Sequence, residues 1–413
     1  MWHWLRVPKE KRLSRQAIIT LSNHGIFQFG NSLSNIFVNL YLWRLTNDLW
    51  INGAYNLITL LAAPLATILI GKIAKQKDRL IIYRLGIFLT AIFYLCILLA
   101  MERMVDYFYL FALLKGVSTS FYWLGHFTLM YDFSTNNNRH RYLGFNMIVN
   151  NISQLTGPAL AGLIIGIWAD LTGYGIVFGL AFVMFFVASI GSLRMEKAPT
   201  HHKTYYLKYT FQMLRKYRNF SRSLAGWYII GLPQGIMMYV PAILMFNVFG
   251  REDIIGLMNI VFFSLTIMSS YLVSRYASIE KTGLYMLLAA IGFSLGSTLL
   301  LWEIAVWSVV IFMVIHHVFN PLHSNTYTAH YYQMMDELPL NKNFRIESIV
   351  VRETAINLGR ATSVIIVMLT IQNVYASFLP WLLFIMMILQ FNLQWAVKRV
   401  KKIDSKTSLK QAR

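Results

Sequence analysis

The sequence predicts an all-α polytopic membrane protein of twelve transmembrane helices in two six-helix halves, and three observations lead there. Of the 413 residues, 57% are hydrophobic and only 13% charged, with a mean hydropathy of +0.51, far from the roughly one quarter of charged residues usual in soluble domains. Twelve apolar runs are each long enough for a bilayer core, which takes about 20 helical residues. Between the sixth and the seventh run lies a basic stretch, Arg194 to Arg222, in which eight Lys and Arg stand against the single acid Glu196.

The runs cover about 17–43, 51–73, 80–100, 107–131, 143–166, 174–193, 223–248, 254–274, 283–302, 304–331, 349–371 and 376–397. The first follows Arg6, Lys9, Lys11, Arg12 and Arg15, but it is long, holds several Asn and shows no small-residue cleavage site, so it reads as a retained span rather than a signal peptide. The ninth and tenth are separated only at Trp302 and Glu303. The chain therefore divides into a first half, 1–193, a basic connector, 194–222, a second half, 223–397, and a basic tail, 398–413.

Orientation follows from where Lys and Arg fall. Of the 37, 32 lie on the side of the two termini and the connector, while Arg44, Arg103 and Arg251 lie on the other and Lys115 and Arg360 fall inside spans. The positive-inside rule then puts both termini in the cytoplasm of a multi-pass cell-membrane protein. A formal net charge of +20 does not call for nucleic acid, because the cations are spread over every loop of one side instead of forming one groove. In the connector, Tyr205, Leu207, Tyr209, Phe211, Met213, Leu214 and Tyr217 alternate with Lys208, Arg215, Lys216 and Arg218, a pattern that fits either a helix lying on the inner leaflet or a solvated loop.

Cys96 is the single cysteine, so no intramolecular disulfide and no cysteine metal cluster can form. There is no G-x-x-x-x-G-K-[ST] loop to cradle phosphates and no soluble domain to hold one. No cofactor is expected.

Six spans, a cytoplasmic connector and six more spans resemble the plan of the major facilitator superfamily. In the fifth span Gly157-Pro158-Ala159-Leu160-Ala161-Gly162 is similar to the family's G-P-x-x-G-G element, which there marks mainly exporters and antiporters. Small residues let two helices approach, and proline removes one backbone bond so that the helix can bend. Gly71-Lys72-Ile73-Ala74-Lys75-Gln76-Lys77-Asp78-Arg79 resembles the family's G-x-x-x-D-R-x-G-R-R loop, with Lys75 where the family has its acid and Asp78 where it has glycine. The resemblance implies a latch rewired through Asp78. Lys115, with Gly116 after it, stands where the family usually has a fourth-span Arg. The resemblance spans the architecture but identifies no subfamily or substrate.

Polar groups inside the hydrocarbon cost several kcal/mol when unpaired, about 2–7 on the usual scales, so they face cavities or other helices. His24, Gln28, Asn31, Asn35 and Asn39 follow one another at steps of four, three, four and four, one face of the first span. Glu353, Asn357 and Arg360 do the same in the eleventh, with Arg360 near mid-bilayer. The expected solute cavity therefore comprises His24, Gln28, Asn31, Asn35, Lys115, Asn357 and Arg360, and its two deep cations favour an anionic or zwitterionic substrate. Glu353, Asp132, His126 and His316 are candidates for a coupling proton, while Gly157, Pro158, Gly162, Gly71, Asp78 and Arg79 are expected to serve gating and packing. His316, His317, His323 and His330 crowd the tenth span, but no acid or cysteine accompanies them, so no metal site is expected.

The resulting expectation is a monomeric secondary transporter of a small organic solute, working by proton-coupled export. Two alternatives compete. One is a flippase for a lipid or lipid-linked amphiphile on the same fold. The other, a membrane enzyme built on His316 and His323, lacks paired carboxylates and a nucleophile.

Overall fold

A computed structural model of the chain describes residues 12–76, 78–133, 139–168, 170–196, 207–336, 338, 345–370 and 378–398. The Lys75 side chain, connector residues 197–206 and the tail after Lys398 lie outside the described residues. The first six helices are α1 (Arg15–Thr46), α2 (Leu49–Gln76), α3 (Arg79–Ala100), α4 (Phe108–Asp132), α5 (Arg139–Ile167) and α6 (Thr172–Ser192). A short α7 (Leu207–Lys216) sits in the connector. Then come α8 (Arg218–Met237), α9 (Val240–Phe249), α10 (Glu252–Tyr276), α11 (Thr282–Trp302), α12 (Val306–Asp336), α13 (Arg345–Thr370), α14 (Phe378–Ile388) and α15 (Leu393–Val397).

The expected spans are present, with two corrections. The seventh is broken at Met238 and Tyr239 into α8 and α9, with Pro233 inside α8 and Pro241 in the first turn of α9, where a missing N–H is tolerated. The twelfth passes through a 3₁₀ turn, Leu389–Asn392, between α14 and α15. Among the described residues nine segments are long and apolar enough to cross a membrane. The helices α1, α4 and α13 are not among them, and these three carry all the residues of the expected solute cavity.

Local signals set the ends. Ser14 caps α1 by accepting from the Ala17 amide at 3.1 Å, and Asn47, at φ 51°, closes it in the left-handed region. Asp78 caps α3 by accepting from the Leu80 amide at 3.0 Å. In the described conformation one oxygen of the Asp78 carboxylate thus holds a helix start. The ion pair at that loop is instead Arg79 with Asp132 at the end of α4.

Within α1–α6, α1 packs on α5 and α6, and α3 on α4 and α6; within α8–α15, α8 packs on α13, and α11 on α12 and α14. The largest contacts between the sets are α5 with α10 and α2 with α13, and α1 also touches α9. The motif in α5 works on both. Gly157 faces the backbone of Ser32 and Leu33 in α1, where an added Cβ would lie 2.8 Å away, whereas Gly162 faces Glu252 and Gly256 in α10. One short element thus fixes α5 to its own set and to the other.

Candidate functional site

The two ends of the assembly differ. At the end holding Arg44, Arg44 of α1 pairs with Glu252 of α10, and the Tyr174 hydroxyl of α6 donates to the same carboxylate at 3.1 Å. Glu252 is 7% exposed, the Arg44 guanidinium also lies 5.4 Å over the Phe246 ring of α9, and Gly53 of α2 packs on Met368 of α13. This end is closed. At the other end the described bonds stay within one set: Arg79 with Asp132, Arg84 donating to the Ser192 and Met195 carbonyls, and Arg352 with Glu353.

Midway along α13, Arg360 is gripped by neutral amides. Its Nε and Nη2 donate to Gln234 Oε1 at 3.1 and 2.7 Å, and its Nη1 to Asn357 Oδ1 at 3.1 Å. Asn357 in turn donates to the Glu353 carbonyl at 2.9 Å. The Glu353 carboxylate is engaged elsewhere, with Arg352 at 2.5 Å, whose guanidinium also lies 5.3 Å over Trp227. Three of the five guanidinium N–H groups are used, so the half-buried Arg360 has two further donors. Gly231, Gly235 and Gly359 bring α8 and α13 backbone to backbone, which is what puts Gln234 in reach.

Lys115 is placed differently from the expected cavity cation. Its Nζ lies 5.2 Å over Phe93 and 5.4 Å over Tyr94, so aromatic faces of α3 supply its counter-charge. Among the described residues no carboxylate pairs with it.

The first-span stripe meets different surroundings along its length. His24 is fully buried between Tyr122 and Asn150, Gln28 is buried, and Asn39 accepts from Asn56 at 2.8 Å. Asn31 is half-buried and only Asn35 is exposed. Equal spacing gives one face, but that face meets α4 and α5 at His24 and α2 at Asn39, and Asn35 between them is exposed. The proton candidates also separate: Asp132 and Glu353 are each in an ion pair, while His126 is buried beside His24. His316 and His323 share a face, both against Phe293. Among the described residues no three His, Cys, Asp or Glu are grouped to hold a metal. Gly71 lies buried near the end of α2, and Pro158 lies inside α5.

Sequence reasoning missed Gln234, Glu252, Gly256 and Asn150. Two signals were available: Gly231-Leu-Pro-Gln-Gly235 is a G-x-x-x-G helix contact, and Glu252 and Arg44 are an acid and a cation on the cation-poor side.

Two helix sets closed on each other at one end, with a charged group held at mid-helix, define a polytopic carrier-like membrane protein. The Major Facilitator Superfamily sequence profile matches residues 21–343, and the chain belongs to that superfamily. It is similar to the uncharacterized protein YqgE of Bacillus subtilis (strain 168), at 26% identity over 359 residues, 87% of this chain and 83% of that one. An uncharacterized protein in the sodM 3'region of Geobacillus stearothermophilus is 34% identical over 169 residues, 41% of this chain and 79% of that one. Among solved structures, the nucleoside transporter NupG superposes with TM-score 0.71 at 13% identity, over 93% of this chain and 99% of that one. A bacterial homologue of the iron transporter ferroportin in its inward-facing state gives 0.65 at 15%, over 93% and 99%. A D-xylose-proton symporter gives 0.69 at 13%, over 92% and 97%. The chain has a transporter fold and stands with transporters, not enzymes.

Proposed function

We propose that this transporter moves a small anionic or zwitterionic organic solute across the cytoplasmic membrane as a proton-coupled exporter, by alternating access. The observation that carries the reading is Arg360: a mid-helix guanidinium held by two amides and no carboxylate. Lys115 adds a second interior cation without an acid partner. Interior cations left in excess attract negative groups.

The rocking bodies are residues 1–193 and 223–397, joined by 194–222, and the monomer is the working unit. With both termini cytoplasmic by the positive-inside count, the Arg44 end faces outward, so the described conformation is open to the cytoplasm and ready to load an exported solute. The Gly157-Pro158 element, similar to that of exporters, supports the direction.

Thermal unfolding of the purified protein against succinate, glycerol 3-phosphate, glycine and tetraphenylphosphonium tests the charge preference. A bound ligand at 100 times its dissociation constant stabilises by about 2.7 kcal/mol. Stabilisation by the phosphonium alone would overturn the reading.

A further inference from the structure

Two imidazoles lie face to face inside the first helix set. His24 of α1 and His126 of α4 have ring centroids 3.8 Å apart with planes 14° from parallel, and both are 0% exposed. The placement follows from packing, since Gly86 and Gly125 let α3 and α4 meet at the backbone and carry Tyr83 and Tyr122 in beside the rings.

The two rings are treated unequally. His24 Nε2 faces Asn150 Oδ1 at 2.9 Å, and a carbonyl oxygen only accepts, so this nitrogen carries hydrogen. Its Nδ1, 2.6 Å from the Tyr122 hydroxyl, accepts from it while the ring is neutral. Among the described residues neither His126 nitrogen makes a hydrogen bond of normal geometry, and Asn146 Oδ1 of α5, the neighbour placed to make one, is also without a partner of normal geometry. Leaving an imidazole unpaired in an apolar interior is costly.

The ionisable groups facing the pair are Tyr83 of α3 and Tyr122 of α4, and Tyr142 of α5 lies near Tyr122. Among the described charged side chains of these helices, Arg79 pairs with Asp132, Arg84 with carbonyls of the α6 end and Arg44 with Glu252, Lys115 rests on its rings, and Arg15 is exposed at the start of α1. Any proton taken up here therefore belongs to the imidazoles. Two imidazolium rings at this separation would repel strongly, so the capacity is one.

We propose that the stacked His24–His126 pair is the coupling-proton site, holding a single proton between the two rings; the inference rests on the proton-coupled reading above. A proton on His126 gives it two N–H donors, one of which closes onto Asn146 Oδ1. A proton on His24 makes Nδ1 a donor to the Tyr122 oxygen, whose own hydroxyl hydrogen turns toward Tyr83. Asn150, the partner of His24, is half-buried, whereas both rings are fully buried. Asp132 and Glu353 do not compete, each being held in an ion pair.

Trp123 reports on the site, lying edge-on with ring centroids 6.1 Å from His24 and 5.8 Å from His126; an imidazolium quenches indole fluorescence more than a neutral ring does. The purified protein in lipid nanodiscs is titrated from about pH 4 to about pH 8, the range in which imidazole titrates. The same is done with Trp123→Phe and with the double variant His24→Gln/His126→Gln. The expected result is one single-proton step in the Trp123-dependent fluorescence, lost in the double variant. A wild type without that step, which needs no histidine variant to see, or a step that survives the double substitution, overturns the proposal. Pyranine-loaded proteoliposomes given succinate or glycerol 3-phosphate separate the two readings. Proton movement with no Trp123 step moves the coupling site elsewhere, whereas a Trp123 step with no proton movement overturns proton coupling itself.

Discussion

Gly162 of α5 and Gly256 of α10 oppose each other across the two helix sets: a Cβ built on Gly162 would lie 2.9 Å from the Gly256 Cα, and one on Gly256 3.1 Å from the Gly162 Cα. No side chain fits there without moving a backbone. Gly162→Ala is therefore expected to weaken the closed end, at a cost of about 1–3 kcal/mol for overpacking, and to favour opening there. Spin labels at Asp48 and Arg251, in the turns beside the closed end, check it: the distance between them should lengthen. Gly157→Ala, which crowds α1 within one set, should lower thermal stability and leave that distance unchanged.

Glu252 is the carboxylate on which that end converges, with Arg44 and Tyr174 both bonded to it. Arg44→Ala leaves a buried carboxylate with one neutral donor, and breaking such a pair typically costs about 3–5 kcal/mol. Glu252→Gln removes the charge and keeps an acceptor for Tyr174, so it should cost less. Thermal unfolding of the two single variants and the double variant measures the coupling, and strictly additive losses would mean that the pair contributes nothing.

Much of this was legible in the sequence because membranes impose length and sign rules on a chain. The twelve runs, the separation at Trp302 and Glu303, and the α5 motif all follow from apolarity, charge placement and small residues. The site was less legible, because spacing gives a face but not what the face meets. His24, Gln28 and Asn35 share a face of α1, yet two are enclosed and one is open. Glu353 and Arg360 share a face of α13, yet the acid turns to the adjacent Arg352 and the guanidinium to Gln234, 126 positions away in the chain.

Arg79 and Asp132 pair within one helix set, between the start of α3 and the end of α4. Asp132→Asn should therefore lower thermal stability without moving the spin-label distance at the closed end. A lengthened distance would show that this pair takes part in gating after all.

Arg360 is the sharpest test of substrate charge, because its partners are amides that hold it whether or not a solute is present. Arg360→Lys keeps the charge but loses the fork that spans Gln234 and Asn357; Arg360→Met keeps the bulk and loses both. If the guanidinium contacts an anionic group, a lost charge-assisted hydrogen bond weakens binding by about 1.5–3 kcal/mol, roughly ten- to a hundredfold. The Met variant should then lose most of the anion-induced thermal shift and the Lys variant only part of it. Lys115→Met provides the contrast, since its ammonium already rests on Phe93 and Tyr94: it should cost up to about 2 kcal/mol of folding stability and shift anion affinity less than Arg360→Met does. The reverse order would transfer the anion contact to Lys115.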